Sequence, residues 1–288
     1  MSTLRDQYLI EPAALAQRLS DSDVQVFDAA VSLQVRDGGF RAVSGFDDYQ
    51  AAHIPGAGFL DLIQALSDTE SGLGFTLPAP AELARRVGAA GVRSDATVVL
   101  YSSGHLMWAT RAFWLLRYLG HDRVQVMNGG LAAWQKQGQP TDEGAAAVAA
   151  ANFQHSVRPE LFVTLEEMRS LVEAGQVQTT CALSADVYQG DGDFHYGRRG
   201  HIPGSTHLHY EDLLQDGSLL PTAELLGALE RGNFASSERV VSYCGGGIAA
   251  TILAFARLIS DCGATGVYDG SMSEWVRAGL PLTTGAVP

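Results

Sequence analysis

The tetrapeptide His-Ile-Pro-Gly occurs twice, at His53–Gly56 and His201–Gly204, 148 positions apart. Further markers follow each copy in the same order. Asn128-Gly129-Gly130 with Trp134 corresponds to Asp269-Gly270-Ser271 with Trp275, and Gly138-Gln139-Pro140 corresponds to Gly279-Leu280-Pro281, both pairs 141 apart. A repeat of that period is the size of a domain, and the small drift in spacing is what unequal loops produce. The 288 residues are therefore expected to fold as two copies of one domain.

The seam is expected after Pro140. The run TDEGAAAVAAANFQHSVRP that follows is small, polar or alanine-rich without a sustained amphipathic period, as in a linker. Three segments are predicted: an N-terminal domain over 1–140, a linker over 141–161 and a C-terminal domain over 162–288. Thr164 with Glu167 three residues on has the form of a capping box, and Leu165, Met168, Leu171 and Val172 continue at helical spacing. Glu11-Pro12 before Leu15 and Leu19 is the matching start in the first half. Apolar runs at Val24–Phe27, Thr97–Tyr101, Val124–Met127, Val240–Tyr243 and Gly266–Tyr268 read as buried strands. Helical patterns lie at Met107–Leu119 and Ile248–Ser260. Near-continuous apolar strands alternating with helices predict an α/β fold, each half a mainly parallel sheet flanked by helices.

A net charge of −13 argues against nucleic acid or an anionic membrane as partner, because both select clustered Lys and Arg. No apolar run approaches the length of a membrane span. The N-terminus lacks a basic flank followed by an apolar stretch, and a cytoplasmic protein is expected. Cys181, Cys244 and Cys262 are too few and scattered for a disulfide framework, and no metal-binding spacing is present. No metal or cofactor is implied.

One segment has the composition of a reactive site: Val240-Val241-Ser242-Tyr243-Cys244-Gly245-Gly246-Gly247-Ile248-Ala249-Ala250. A cysteine ends a buried strand, three glycines follow and a helix begins. Sites in parallel sheets lie at the carboxyl ends of strands. Glycines let successive amides turn toward one point and form an anion-binding nest, and the helix aims its positive end at the same place. Such surroundings favour a thiolate, the nucleophilic form of cysteine. Cys244 is therefore the candidate nucleophile, and Gly245, Gly246, Gly247, Ile248 and Ala249 are the candidate anion-binding loop. A glycine turn beside a core cysteine is the plain alternative. A cysteine phosphatase normally ends this loop in an arginine that grips the phosphate, and Ile248-Ala249-Ala250 supplies none.

With the two HIPG motifs, MWATRAFWLLRYLGH from Met107, NGGLAAW at Asn128, YDGSMSEW at Tyr268 and the CGGGIAA loop, the chain resembles the rhodanese superfamily over nearly its whole length. It is most similar to the tandem-domain thiosulfate and 3-mercaptopyruvate sulfurtransferases. The resemblance implies a catalytic C-terminal half carrying sulfur as a persulfide on Cys244. It also implies a degenerate N-terminal half in which Ser102 takes the place of the cysteine. Thiosulfate members resemble CRKGVTA at the loop and mercaptopyruvate members CGSGVTA; CGGGIAA is nearer the second. The family pattern DAR-x-x-x-RF before the second HIPG is absent, since Cys181-Ala182-Leu183-Ser184-Ala185-Asp186-Val187-Tyr188 contains neither its aspartate at the start nor its arginines. Arg198 and Arg199 are the candidate cations for a donor carboxylate. Cys181 is a structural residue on this reading, with a resolving thiol as the alternative.

The expected activity is transfer of sulfane sulfur from a small donor, 3-mercaptopyruvate ahead of thiosulfate, to cyanide, a thiol or a protein acceptor, with a pocket between the halves. A persulfide carrier and a non-catalytic scaffold are the alternatives. His53 and His201, each before Ile-Pro-Gly, are expected to make structural hydrogen bonds. Asp269 and Trp275 are expected to serve the turn and core, and Cys262 the core.

Overall fold

The structure, a computed structural model, describes residues 3–36, 39–175, 178–236 and 238–287. They form two compact units. The first comprises the chain up to Glu70 with Leu77–Arg158 and Asp216–Ser218; the second comprises Ser71–Thr76, Pro159–Gln215 and the chain from Leu219 onward. Among the described residues, no helix is long and apolar enough to cross a membrane.

Each unit is built on one five-stranded sheet. The strands of the first are β1 (Leu9–Ile10), β2 (Val24–Asp28), β3 (Gly58–Phe59), β4 (Thr97–Tyr101) and β5 (Val124–Met127), in spatial order β1-β5-β4-β2-β3. Those of the second are β6 (Phe162–Val163), β7 (Gln178–Cys181), β8 (Thr206–His207), β9 (Val240–Tyr243) and β10 (Thr265–Tyr268), in order β6-β10-β9-β7-β8. The two orders are one order repeated, and every pair in both sheets is parallel. Parallel strands need crossovers, which place helices on the sheet faces. Helices Leu106–Tyr118 and Ala250–Ile259 follow β4 and β9 in this way. All four residues of β9 are consequently buried. The fold is α/β, as expected from the alternation of apolar runs and helical patterns.

The repeated motifs are repeated clamps. The His53 amide donates to Asp142 O and the Asp142 amide to His53 O, both at 2.9 Å; His201 and Thr283 exchange the same pair at 2.8 and 2.9 Å. The imidazole of His53 stacks on Tyr49, and that of His201 lies 3.7 Å from the Tyr188 ring. The Ile54 amide donates to Tyr101 Oη and the Ile202 amide to Tyr243 Oη, each at 3.1 Å. Indoles of Trp134 and Trp275 donate to Pro140 O and Pro281 O. Each HIPG turn is thereby tied to the last residue of a central strand and to the Gly-x-Pro segment. His53 and His201 hold the fold, which is why the separated markers recur together.

Residues 141–158 run along the first unit as an ordered strap. Ala151 N donates to Gly88 O, Ser156 N to Leu119 O and Arg158 N to Tyr118 O. A Cβ at Gly88 would overlap Ala151 O, so the close approach of the strap requires glycine. Thr164 caps the helix Leu165–Ala174 by accepting from the Glu167 amide at 3.2 Å. The Glu167 carboxylate does not complete the box; it accepts from Arg239 Nη1 at 3.0 Å. The hairpin Val31–Arg36 with Gly39–Ser44 interrupts the first unit and has no counterpart among the described residues of the second. Leu33 and Val35 stand exposed on it.

Asp28, the last residue of β2, lies fully buried opposite Tyr101. Its Oδ1 accepts from the Ala30 amide at 2.9 Å and the Ser103 amide at 3.2 Å. Burial pushes its pKa up to about 7, against the partial opposition of these amides. The folded state thus holds this proton more tightly than the unfolded chain, and proton binding favours folding. The contribution is complete below the unfolded carboxyl value near pH 4 and is lost as pH rises through about 7. Between pH 5 and 7, the unfolding free energy of the wild type should fall relative to Asp28→Asn by up to about 1.4 kcal/mol per pH unit. Urea titrations of both proteins across that range measure the difference, and parallel curves would contradict it.

Candidate active site

Strand β9, flanked by β10 and β7, delivers Cys244 to the carboxyl end of the second sheet. Six residues, Cys244 to Ala249, separate the strand from the helix Ala250–Ile259. The helix was expected from Ile248; it begins two residues later because Ile248 and Ala249 belong to the loop. The turn is fixed from outside. Ser271 Oγ accepts from the Cys244 amide at 3.0 Å and the Gly247 amide at 3.1 Å, and donates to Tyr268 O at 2.8 Å. The Met272 amide donates to Cys244 O, and the amide and hydroxyl of Ser273 both donate to Gly245 O.

These bonds decide which loop amides are left unengaged. Gly247, at φ +73°, gives its amide to Ser271 and so leaves the set read from sequence. The amides of Gly245, Gly246, Ile248 and Ala249 meet no backbone or side-chain acceptor among the described residues. They lie before the positive end of a ten-residue helix, an arrangement chemically able to receive an anion. Cys244 itself is 2% exposed.

Ser271 carries no sequence-level sign of this role except its place in the repeat. The register of the two copies sets it against Gly130 of the first. Both occupy the left-handed region, Gly130 at φ +57° and Ser271 at φ +50°. That region costs a residue with a Cβ about 1–2 kcal/mol. A Cβ at Gly130 would overlap Ser102 O, whereas the wider second loop admits a serine and uses its hydroxyl.

The Ser102 loop shows the contrast. The Leu131 amide donates to Ser102 O at 3.0 Å, matching Met272 and Cys244, so Ser102 and Cys244 occupy the same place in their units. The helix after Ser102 begins at Leu106, two residues sooner than after Cys244. Ser102 Oγ accepts the Gly104 amide at 3.0 Å. The shorter loop thus turns an amide onto its own side chain.

Cys181 ends β7 beside Tyr243, in the position that Asp28 holds beside Tyr101. It is buried, and burial pushes its thiol up to about 12. A thiol kept neutral in this way is a poor nucleophile, and Cys181 acts in the core with Tyr243, Ile202 and Trp275. Cys262 is likewise buried, with its thiol raised by burial. Arg198 Nη1 donates to Leu280 O at 2.8 Å, and Arg199 Nη1 to Gly190 O and Gly192 O. Both side chains are exposed, and these bonds brace the loop 190–200 rather than the Cys244 turn. Two phenols missed by the sequence reading interact with this region, Tyr196 by contact with the loop and Tyr210 through the electrostatics of Cys244. The Tyr196 ring rests on Gly245; Tyr210 is pushed up to about 12, chiefly by burial and Glu211, with Cys244 adding to it.

The family profile described as a rhodanese-like domain matches residues 11–137 and again 164–278. The chain belongs to the rhodanese family. Its two matched stretches are the two repeats, so this is a tandem rhodanese. It is 32% identical over 271 residues to the 3-mercaptopyruvate sulfurtransferase of Escherichia coli strain K12, covering 93% of this chain and 95% of that protein. It is 34% identical over 286 residues to a probable 3-mercaptopyruvate sulfurtransferase of Pseudomonas aeruginosa, covering 96% and 98%. The crystal structure of SseA from Escherichia coli, a 3-mercaptopyruvate sulfotransferase described with the rhodanese fold, superposes with a TM-score of 0.82 at 29% identity, covering 92% of this chain and 98% of that one. This rhodanese is accordingly an enzyme, a sulfurtransferase.

Proposed function

We propose that this enzyme moves sulfane sulfur through a persulfide on Cys244, with 3-mercaptopyruvate preferred to thiosulfate as donor. The observation that carries the reading is a cysteine at the end of a central strand, its backbone held by Ser271, with four unengaged amides beside it. The Cys244 thiolate attacks the sulfur of 3-mercaptopyruvate. The carbon–sulfur bond breaks, its electron pair goes to the methylene carbon as the enolate of pyruvate, and protonation there gives pyruvate. The outer sulfur remains on Cys244 as a persulfide, whose negative charge the amides of Gly245, Gly246, Ile248 and Ala249 stabilise. Attack by cyanide, a thiol or a protein thiol on that outer sulfur restores the thiolate.

The donor preference rests on charge. The loop from Gly245 to Ala249 contains no cationic side chain, and a dianionic donor gains least from such a cradle. Arg198, with one Nη given to Leu280, is the cation proposed for the donor carboxylate; Arg199, braced to Gly190 and Gly192, is the second. The unit containing β9 is the catalytic domain on this reading, and the unit with Ser102 is its non-catalytic copy.

Two measurements test the proposal. After incubation with 3-mercaptopyruvate or thiosulfate, mass spectrometry of the peptides should find about 32 Da, one sulfur atom, added at Cys244. Cyanide should then release thiocyanate, faster with 3-mercaptopyruvate as donor. Sulfur recovered on Cys181 or Cys262 in place of Cys244 would refute the assignment. A stable Cys244 adduct that passes no sulfur to cyanide or thiols would identify a carrier instead.

A further inference from the structure

Tyr196 has contacts that a surface-loop residue does not need. It lies in the irregular segment Gly190–Gly200, where Gly190, Gly197 and Gly200 adopt φ of +82°, +92° and +106°. Exposed residues surround it in sequence, yet its own ring turns inward and packs on the cluster that contains Cys181, Tyr243 and Trp275. Phe194 meets its ring edge-on at 5.1 Å, and the Gly197 amide donates to His195 Nδ1 at 3.1 Å. The ring is thus held from its own loop as well as from the core.

The inward position is specific to the Cys244 loop. A Cβ placed on Gly245 would overlap Cζ, Oη and Cε1 of Tyr196. A side chain at 245 would therefore have to push aside the phenol lying against it, while the backbone angle there lies outside the left-handed set. The hydroxyl end of the ring reaches the residue next to the cysteine. Among the described residues, Tyr196 Oη has no hydrogen-bond partner. Tyr196 is half-buried, and with no protein acceptor engaged its hydroxyl is open to a ligand seated on the loop.

We propose that Tyr196 is a substrate-contacting residue of the sulfur-transfer site, donating its phenolic hydrogen bond to the sulfur delivered to Cys244. The ligand class is a sulfur anion, either the donor thiolate or the outer persulfide sulfur, and the inference rests on the Cys244 reading above. The bond completes the four amides with one side-chain donor from outside the loop. Burial, and then the electrostatics of the neighbouring Cys244 and Cys181, hold the phenol above its ordinary pKa. It therefore remains a donor throughout the usual assay range.

The experiment compares wild type, Tyr196→Phe and Gly245→Ala in single-turnover sulfur transfer from 3-mercaptopyruvate, followed by mass, and in steady-state thiocyanate formation. Tyr196→Phe keeps the ring and removes only the hydroxyl. It should lower the transfer rate and kcat roughly 10- to 100-fold, the range for a hydrogen bond to a charged group, with KM changed less than about threefold and the urea midpoint unchanged. Gly245→Ala should displace the ring and reproduce the kinetic loss. Wild-type-like turnover of Tyr196→Phe, within about twofold, would overturn the role while leaving the Cys244 assignment standing. A wild type that acquires no sulfur at Cys244 would overturn both.

Discussion

Exchange of Cys244 for serine is expected to lower thiocyanate formation at least about a thousandfold while leaving the fold intact. The fold should survive because Ser271 holds position 244 by its backbone amide and Met272 holds it by its carbonyl, contacts a serine keeps. The first unit shows the exchange already made: Ser102 sits at the same strand end with the same carbonyl bond from Leu131. Chemistry should fail because an alcohol is far from ionised at neutral pH and cannot carry a displaceable sulfur. The cradle amides would still bind an anion, so Cys244→Ser should retain donor binding without transfer. Cyanolysis rates and urea unfolding of both proteins measure the two halves of the expectation. Residual activity above about a tenth of wild type would place the reacting sulfur elsewhere.

Replacing Arg257 by methionine should destabilise the second unit by about 2–4 kcal/mol, because several buried carbonyl acceptors would lose their donor at once. Arg257 lies in the helix after the Cys244 loop and is wholly buried. Its charge is held by oxygen dipoles. Nε donates to Thr265 Oγ1 at 2.9 Å, Nη2 to Ser236 O at 2.9 Å and Glu238 O at 3.2 Å, and the same fork reaches Phe234 O and Cys262 O. The guanidinium carbon stands 5.0 Å from the Phe234 ring centre. One side chain therefore satisfies the carbonyls of the turns before β9 and before β10. Methionine matches the length but leaves buried acceptors without donors. Lysine should not rescue, because an ammonium cannot span a planar fork of five acceptors. A urea midpoint within experimental error of wild type for Arg257→Met would contradict the account. Because these turns aim β9, which carries Cys244, and its neighbour β10, activity and stability should fall together.

Strands with strong local signals were readable with their ends. Thr97–Tyr101, Val124–Met127 and Val240–Tyr243 are β-branched or apolar runs, and the structure gives them the same limits. Leu9–Ile10, Gly58–Phe59, Phe162–Val163 and Thr206–His207 are two residues each, too short for any period to register. They exist as strands because a neighbour pairs with them. The hairpin at Val31–Ser44 was missed for another reason: with Leu33 and Val35 exposed, its apolar residues do not mark a core face.

The sequence by itself determined that the fold occurs twice, that Cys244 ends a central strand before a glycine loop, and that Ser102 is its counterpart. Each of these follows from neighbours within about ten residues or from a repeat whose register can be counted. Tertiary structure decided the rest of the site. It brought Ser271 from 27 residues away to occupy two loop amides, left four amides unengaged, laid Tyr196 against Gly245 and sealed Cys181 in the core. Those roles depend on a three-dimensional approach between segments that share no period, and on burial, which raises or cancels the reactivity of a side chain without altering its letter in the sequence.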